Sequence, residues 1–167
     1  MTTPTKPLKK GFKFPIYPTL AQKELLEKTF GCCRYVYNRA LAEAKAEYKH
    51  YLAMKQAPCT PEPTKPDVSG YGFVARLPGY KSDPESTWLS EVSAVALQQS
   101  MLHLGEAFKR FLHTRRGYPS FKKKTSQQSF NLMKTAFDIR DGQLFIAKSQ
   151  EPVKVVYSRS SFWARVG

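Results

Sequence analysis

The sequence predicts an α+β fold, in which a small antiparallel sheet or barrel is interrupted by a block of helices. Three observations predict it. Apolar residues alternate with other residues near the start of the chain. They recur at three- and four-residue steps through its middle, and they alternate again after Gly117. Pairing the N-terminal strand with the C-terminal ones is the economical arrangement, with the helices of residues 19–116 as an insertion. The 167 residues suffice for one domain or two small lobes with a buried core.

Residues 1–10 are polar, basic and proline-containing, and are expected to be mobile. In residues 12–17, Phe12, Phe14 and Ile16 alternate with Lys13, Pro15 and Tyr17, which predicts a strand. Pro15 lacks a ladder donor and puts that strand at an edge, and Pro18 ends it. Thr19 then opens a helix with a capping box, in which its hydroxyl accepts from the backbone three residues on while Gln22 reaches back. Leu25, Leu26, Phe30, Cys33, Val36, Tyr37, Ala40, Leu41, Ala44 and Tyr48 continue it at helical spacing. Gly31 leaves open whether this is one helix or two, ending near Lys55.

Four prolines in residues 57–70 exclude regular structure there. A short helix is expected over Tyr71 to Leu77. Asp83 or Ser90 starts the next, whose stripe of Val95, Leu97, Met101, Leu104, Phe108, Phe111 and Leu112 reads as core packing. After Gly117, residues 127–133 read as a strand and Val153 to Tyr157 as another. Residues 137–147 read as a hairpin, because Asp141-Gly142 supplies the positive φ angles of a type I′ turn.

Lys and Arg number 27 against 13 Asp and Glu, a formal charge of +14. Such a balance points to a polyanionic partner. No apolar run is long enough to span a membrane, and a cytoplasmic location is expected. Cys32, Cys33 and Cys59 show no metal-ligand spacing with His50, His103 or His113, so reduced structural thiols are expected. The charge is concentrated in KRFLHTRRGYPSFKKK. There Lys109, Arg110, Arg115, Arg116, Lys122, Lys123 and Lys124 are interleaved with Phe111, Tyr118 and Phe121, with no acidic residue among them. Fixed cations beside flat rings suit phosphates and bases. Nucleic acid, DNA or RNA, is therefore the expected partner.

FKFPIYPT, FGCCRYVYN, TWLSEVSAVALQQS, GYPSFKKK, the QSF segment and DGQLFI follow one another in an order that resembles the N-terminal half of TnpB (OrfB) proteins. These are RNA-guided DNA endonucleases of insertion sequences, related to type V CRISPR effectors. The resemblance covers residues 11 to 159 and implies a β-barrel wedge domain (11–18 and 117–159) interrupted by a helical recognition lobe (19–116). It leaves 160–167 as an unmatched tail. It further implies that the two parts read a short DNA motif beside the target and hold the guide RNA scaffold. Gln98, Tyr71 and Asn131 match or fall near family positions that contact that DNA. Lys109, Arg110, Arg115, Arg116 and Lys122 to Lys124 are the phosphate-binding candidates. Arg34, Tyr37 and Asn38 fit a packing or polar-network role, and Trp88 an anchor for the lobe.

Catalysis in the family sits in a following RuvC domain, where carboxylates hold divalent metal. After Glu106 this sequence has only Asp138, Asp141 and Glu151. A two-metal nuclease needs several convergent carboxylates, so no catalytic residue, metal ligand or cofactor is assigned in this chain. The nuclease half is a possible further partner. The alternative is a stand-alone basic RNA- or DNA-binding accessory or repressor protein without catalysis.

Overall fold

A computed structural model describes residues 11–56, 62–114 and 117–157. The expectations for residues 1–10, Cys59, Arg115, Arg116 and the tail lie outside the described residues. In order come β1 (Ile16–Tyr17), α1 (Leu20–Gln56), α2 (Gly70–Val74), α3 (Leu77–Ser82) and a 3-10 segment (Pro84–Glu91). Then follow α4 (Ala94–Thr114), β2 (Phe137–Arg140), β3 (Gln143–Ile146) and β4 (Lys154–Val155).

The capping box forms as expected. The Thr19 backbone N–H donates to Gln22 Oε1 at 3.0 Å, and the Gln22 N–H donates to Thr19 Oγ1 at 3.4 Å. Gln22 has a second task that its motif does not announce. Its Nε2 donates to the carbonyls of Glu151 and Pro152, each at 3.1 Å, and so ties the start of α1 to the entry of β4. From that point α1 runs unbroken for 37 residues. Gly31 does not interrupt it, and a Cβ there would meet nothing within 4 Å.

One stripe of α1 faces the core. Cys33, Val36, Tyr37, Ala40, Leu41 and Ala44 are buried at three- and four-residue steps against Ala96, Leu97, Met101, Leu104 and Phe108 of α4. Phe73, Leu77, Tyr80, Leu89 and Val92 close the cluster from the connecting segments. Each fully buried Leu or Phe contributes roughly 1.5–3 kcal/mol over leaving it exposed. After Ala44 the helix buries no further residue, and most of its last dozen residues are exposed. The two helices are also joined through polar groups, with Ser100 Oγ donating to the Cys33 carbonyl at 2.8 Å.

An ion network fastens the other flank of α1. Arg39 reaches Asp83 at 2.8 Å and Glu43 at 3.2 Å, while Arg76 grips both Glu47 carboxylate oxygens at 2.8 and 2.9 Å. The Tyr80 hydroxyl donates to Glu43 within the same network. Arg39 holds the Asp83 carboxyl below its ordinary value of 3.8, helped by the Glu85 backbone N–H. A folded-state pKa depressed in this way stabilises the fold above the unfolded value and loses that contribution as pH falls through the folded one. Acid titration followed by circular dichroism is therefore expected to show destabilisation below about pH 4. Asp83→Asn should be less stable at neutral pH and should show a shallower acid limb.

Burial raises the Cys32 thiol to about 11 and the Cys33 thiol to about 12. Both are free and buried, which agrees with structural thiols. In a Cys59→Ser background, a thiol reagent at pH 8 should label neither cysteine until denaturant unfolds the chain.

The N-terminal strand does pair with the C-terminal one. Ile16 lies opposite Val155 and Tyr17 opposite Lys154, in antiparallel register. The expected hairpin is also present, with Phe137 opposite Ile146 and Arg140 opposite Gln143. Asp141 (φ 47°) and Gly142 (φ 81°) make its turn. A single bridge between Leu144 and Val153 links the hairpin to the strand entering β4.

The expected barrel is not closed among the described residues, which hold two two-stranded antiparallel sheets. Its missing strand is the reason. Residues 127–133 are not a strand, and their side chains dock on the helices instead. Gln128 bonds Arg34, Phe130 meets Phe30 at a tilt with ring centres 5.2 Å apart, and Leu132 packs against the helical core. The outer strands are shorter than expected for a related reason, since Pro15, Pro18 and Pro152 flank them without ladder donors.

Candidate nucleic-acid interface

The exposed side of α4 and the chain leading into α2 enclose an open groove of about 810 Å³. Lys65, Tyr71, Gln99, His103, Lys109 and His113 contribute its polar and aromatic lining, and Leu102 and Leu112 its apolar floor. Local chemistry sets Tyr71 on the rim. Asp67 Oδ1 accepts from the Ser69 N–H at 2.8 Å, and Ser69 Oγ caps α2 by accepting from the Gly72 N–H at 3.0 Å. Gly70 then lies directly on Gly105 of α4, where a Cβ on Gly105 would come within 3.0 Å of the Gly70 backbone. With α2 seated that closely, Tyr71 projects outward and is 82% exposed.

Asn131 lies outside the lining and reaches its edge through His103, its Nδ2 lying 3.3 Å from Nε2 of that ring. Gln98 is exposed on α4, one turn before Leu102, beside the groove and outside its lining. The structure thus gathers Tyr71 and Lys109 in one groove, with Asn131 touching its His103 and Gln98 next to it on α4. Arg110 is exposed on the same helix, with its Nε donating to the Glu106 carbonyl at 3.4 Å.

The lysine run is built on α1. Asn38 accepts from the Lys122 N–H at 2.8 Å and donates to the Lys122 carbonyl at 3.0 Å, as one residue of a sheet would. Lys122 Nζ lies 4.4 Å from the centre of the Tyr37 ring, and partial burial lowers its pKa. All three lysines are exposed, but the Lys122 ammonium is directed at a ring. Gln128 closes the loop by donating to the carbonyls of Lys123, Lys124 and Ser126, while Arg34 Nη1 donates to its Oε1 at 3.0 Å. Arg34, Tyr37 and Asn38 accordingly hold the polar network expected of them. Trp88 packs edge-on against Tyr35 at 4.9 Å and donates its indole N–H to the Glu85 carbonyl, which fits an anchor.

Two participants escaped the sequence reading. His103 lies one helical turn after Gln99, and that spacing alone places it on the same face. Lys45 sits over Phe121 at 4.7 Å and Tyr118 at 5.3 Å, completing the alternation of cation and ring. The role of Asn38 was expected, but its partner Lys122 lies 84 positions away, for which no local signal exists.

Residues 8–52 match a family model described as the helix-turn-helix domain of IS605 OrfB proteins. The chain is 38% identical over 154 residues to a Streptomyces pristinaespiralis protein named "Putative RNA-guided DNA endonuclease", covering 91% of this chain and 35% of that one. It is 30% identical over 140 residues to the Escherichia coli "Putative RNA-guided DNA endonuclease InsQ", covering 83% of this chain and 31% of that one. A third relative, "Virulence protein VsdF" of Salmonella dublin, is 31% identical over 116 residues, or 67% of this chain and 91% of that one. The chain belongs to the OrfB (TnpB) family. It corresponds to the N-terminal part and spans about a third of the length of the two relatives named as endonucleases.

Within the OrfB match, the described residues form β1 and most of one unbroken helix, with no turn inside α1. Among the described residues, no group of three or more His, Cys, Asp or Glu is placed to hold a metal ion. No helix among them is long and apolar enough to cross a membrane.

Proposed function

We propose that this chain is the nucleic-acid-recognition part of an RNA-guided DNA endonuclease encoded by an insertion sequence. In this reading it binds the DNA motif beside the target, and the scaffold of a guide RNA, without itself cutting. The observation that carries the reading is the groove along α4, lined by the exposed ring of Tyr71 with Lys65, Lys109 and Gln99, beside the carboxylates of Asp67 and Glu106. Base edges in a major groove are read by amides, and phosphates by Lys and Arg. Tyr71, Gln98 and Asn131 take the first role. Lys109, Arg110, Lys123 and Lys124 take the second, together with Arg115 and Arg116. The late carboxylates fit other tasks, since Asp138 pairs with Arg140 at 2.6 Å and Asp141 occupies the hairpin turn.

A second reading is favoured by one observation. VsdF is matched over 91% of its length, so a relative of similar extent exists as a protein. A chain of this kind acting alone would be a basic DNA- or RNA-binding accessory or repressor.

The two are separated by binding of the purified chain to its neighbouring transcript and to a random duplex across a salt series. Transcript-selective binding that persists at moderate salt supports the guide-scaffold role. Equal binding that vanishes with salt leaves only the accessory reading. For the DNA motif, Gln98→Ala is expected to relax preference at one base position, losing about 1–3 kcal/mol of discrimination. Identical preferences in wild type and variant, measured on a duplex library, would remove Gln98 from the interface.

A further inference from the structure

We infer that His103 is a specificity-determining positioning residue, which sets the direction in which Asn131 presents its amide to a base. The inference rests on the reading of the α4 groove as a DNA-motif site. Its starting observation is the 3.3 Å contact between Asn131 Nδ2 and His103 Nε2 at the edge of that groove. A carboxamide is nearly symmetric in shape and opposite in chemistry at its two ends. Unless something holds it, it offers donor and acceptor in either order.

His103 holds it by being one thing at a time. A neutral ring with its lone pair on Nε2 accepts from the Asn131 amide N–H, and Oδ1 then faces away as the free acceptor. An imidazolium donates from the same nitrogen, so Asn131 must turn Oδ1 inward and leave its NH₂ free. Protonating the Nδ1–H tautomer therefore reverses the order of donor and acceptor along the groove. An Asn that reads adenine needs one order only, accepting from N6–H₂ and donating to N7.

The surroundings favour the neutral ring. Burial lowers the His103 pKa, and the charges of Lys122 and Arg110 lower it further. On its own helix, Glu106, Lys109, Arg110 and His113 share this side of α4. Lys65 and Asp67 face it from the chain before α2, and Lys122 from the lysine loop. Cations outnumber carboxylates on every element that supplies them, except the one carrying both Lys65 and Asp67.

The test selects a duplex library with a fully randomised block at pH 7.5 and again at pH 5, using wild type, Asn131→Ala, His103→Gln and His103→Phe. Asn131→Ala identifies the base position concerned, by losing at least about five-fold discrimination there. The inference expects wild type to lose or invert its preference at that position on acidification. His103→Gln should give a preference that does not change with pH, and His103→Phe none at that position at either pH. Preference that depends on Asn131 yet survives unchanged in His103→Phe would overturn the role of His103 and leave the motif reading intact. Absence of any preference dependent on Asn131 would overturn both. Near-equal unfolding midpoints among the variants separate these effects from loss of fold.

Discussion

Replacing Gly105 with alanine is expected to lower the midpoint of thermal unfolding by about 5–10 °C. The residue is buried on α4, and its missing side chain is what allows α2 to lie on that helix. An added Cβ would fall within 3.0 Å of the Gly70 nitrogen and Cα, closer than real Cβ contacts come. The obstructing atoms are backbone, so no rotamer change relieves them. Overpacking of this kind costs about 1–3 kcal/mol when the surroundings cannot shift. Relief requires α2 to move, carrying Tyr71 with it and unseating Phe73, which is fully buried beneath. Gly70→Ala provides the comparison. There the nearest atom is the Leu102 Cδ2 tip at 3.0 Å, a side chain able to turn aside. Calorimetry should therefore rank wild type above Gly70→Ala and Gly70→Ala above Gly105→Ala. A Gly105→Ala protein as stable as wild type would show that the two helices are not in backbone contact.

Removing the exposed cations together should have the largest effect on binding. In Lys109→Ala/Arg110→Ala/Lys123→Ala/Lys124→Ala, the plot of log affinity against log salt should be shallower by about 3–4 on duplex DNA. At ~0.1 M salt that corresponds to roughly a thousand- to ten-thousand-fold loss, provided affinities extrapolated to 1 M coincide. On a single strand each contact is worth less, and the slope should change by only about 3. Lys122→Ala is expected to behave otherwise. Its ammonium rests on the Tyr37 ring and its backbone is held by Asn38, so its loss should alter the slope by less than one contact. An unchanged slope in the fourfold variant would reject a phosphate role for these residues.

Local interactions were legible in the sequence because the residues that form them are neighbours. The Thr19 and Gln22 cap, the Asp141-Gly142 turn and the core stripe of α4 each follow from spacing within a few positions. Pairing of Ile16 with Val155 was also accessible, since one alternating segment at the start needed a partner at the end. Residues 127–133 were misread because alternation of Phe130 and Leu132 serves equally for a strand and for an extended segment docked on helices. What decided between them was Arg34 and Phe30, far away on α1. Gly31 and Gly105 illustrate the same limit. One sits in open space and the other against a backbone, yet nothing in their flanking residues distinguishes them. In the groove, Tyr71, Gln98 and Asn131 were reached through family resemblance. His103, which joins Asn131 to α4, becomes visible only when the segments are in place.

The unbroken run of α1 has a mechanical consequence. At 1.5 Å per residue it forms a rod about 55 Å long. Gln22 clamps one end to the sheet, and the other end extends past the last buried residue. Its middle, from Cys33 to Ala44, is packed on α4, so the rod cannot tilt without dragging α4 and the lysine loop with it. Strain applied at β1 and β4 would therefore reach both cationic surfaces together, while the twelve residues past Ala44 overhang the core by about 18 Å.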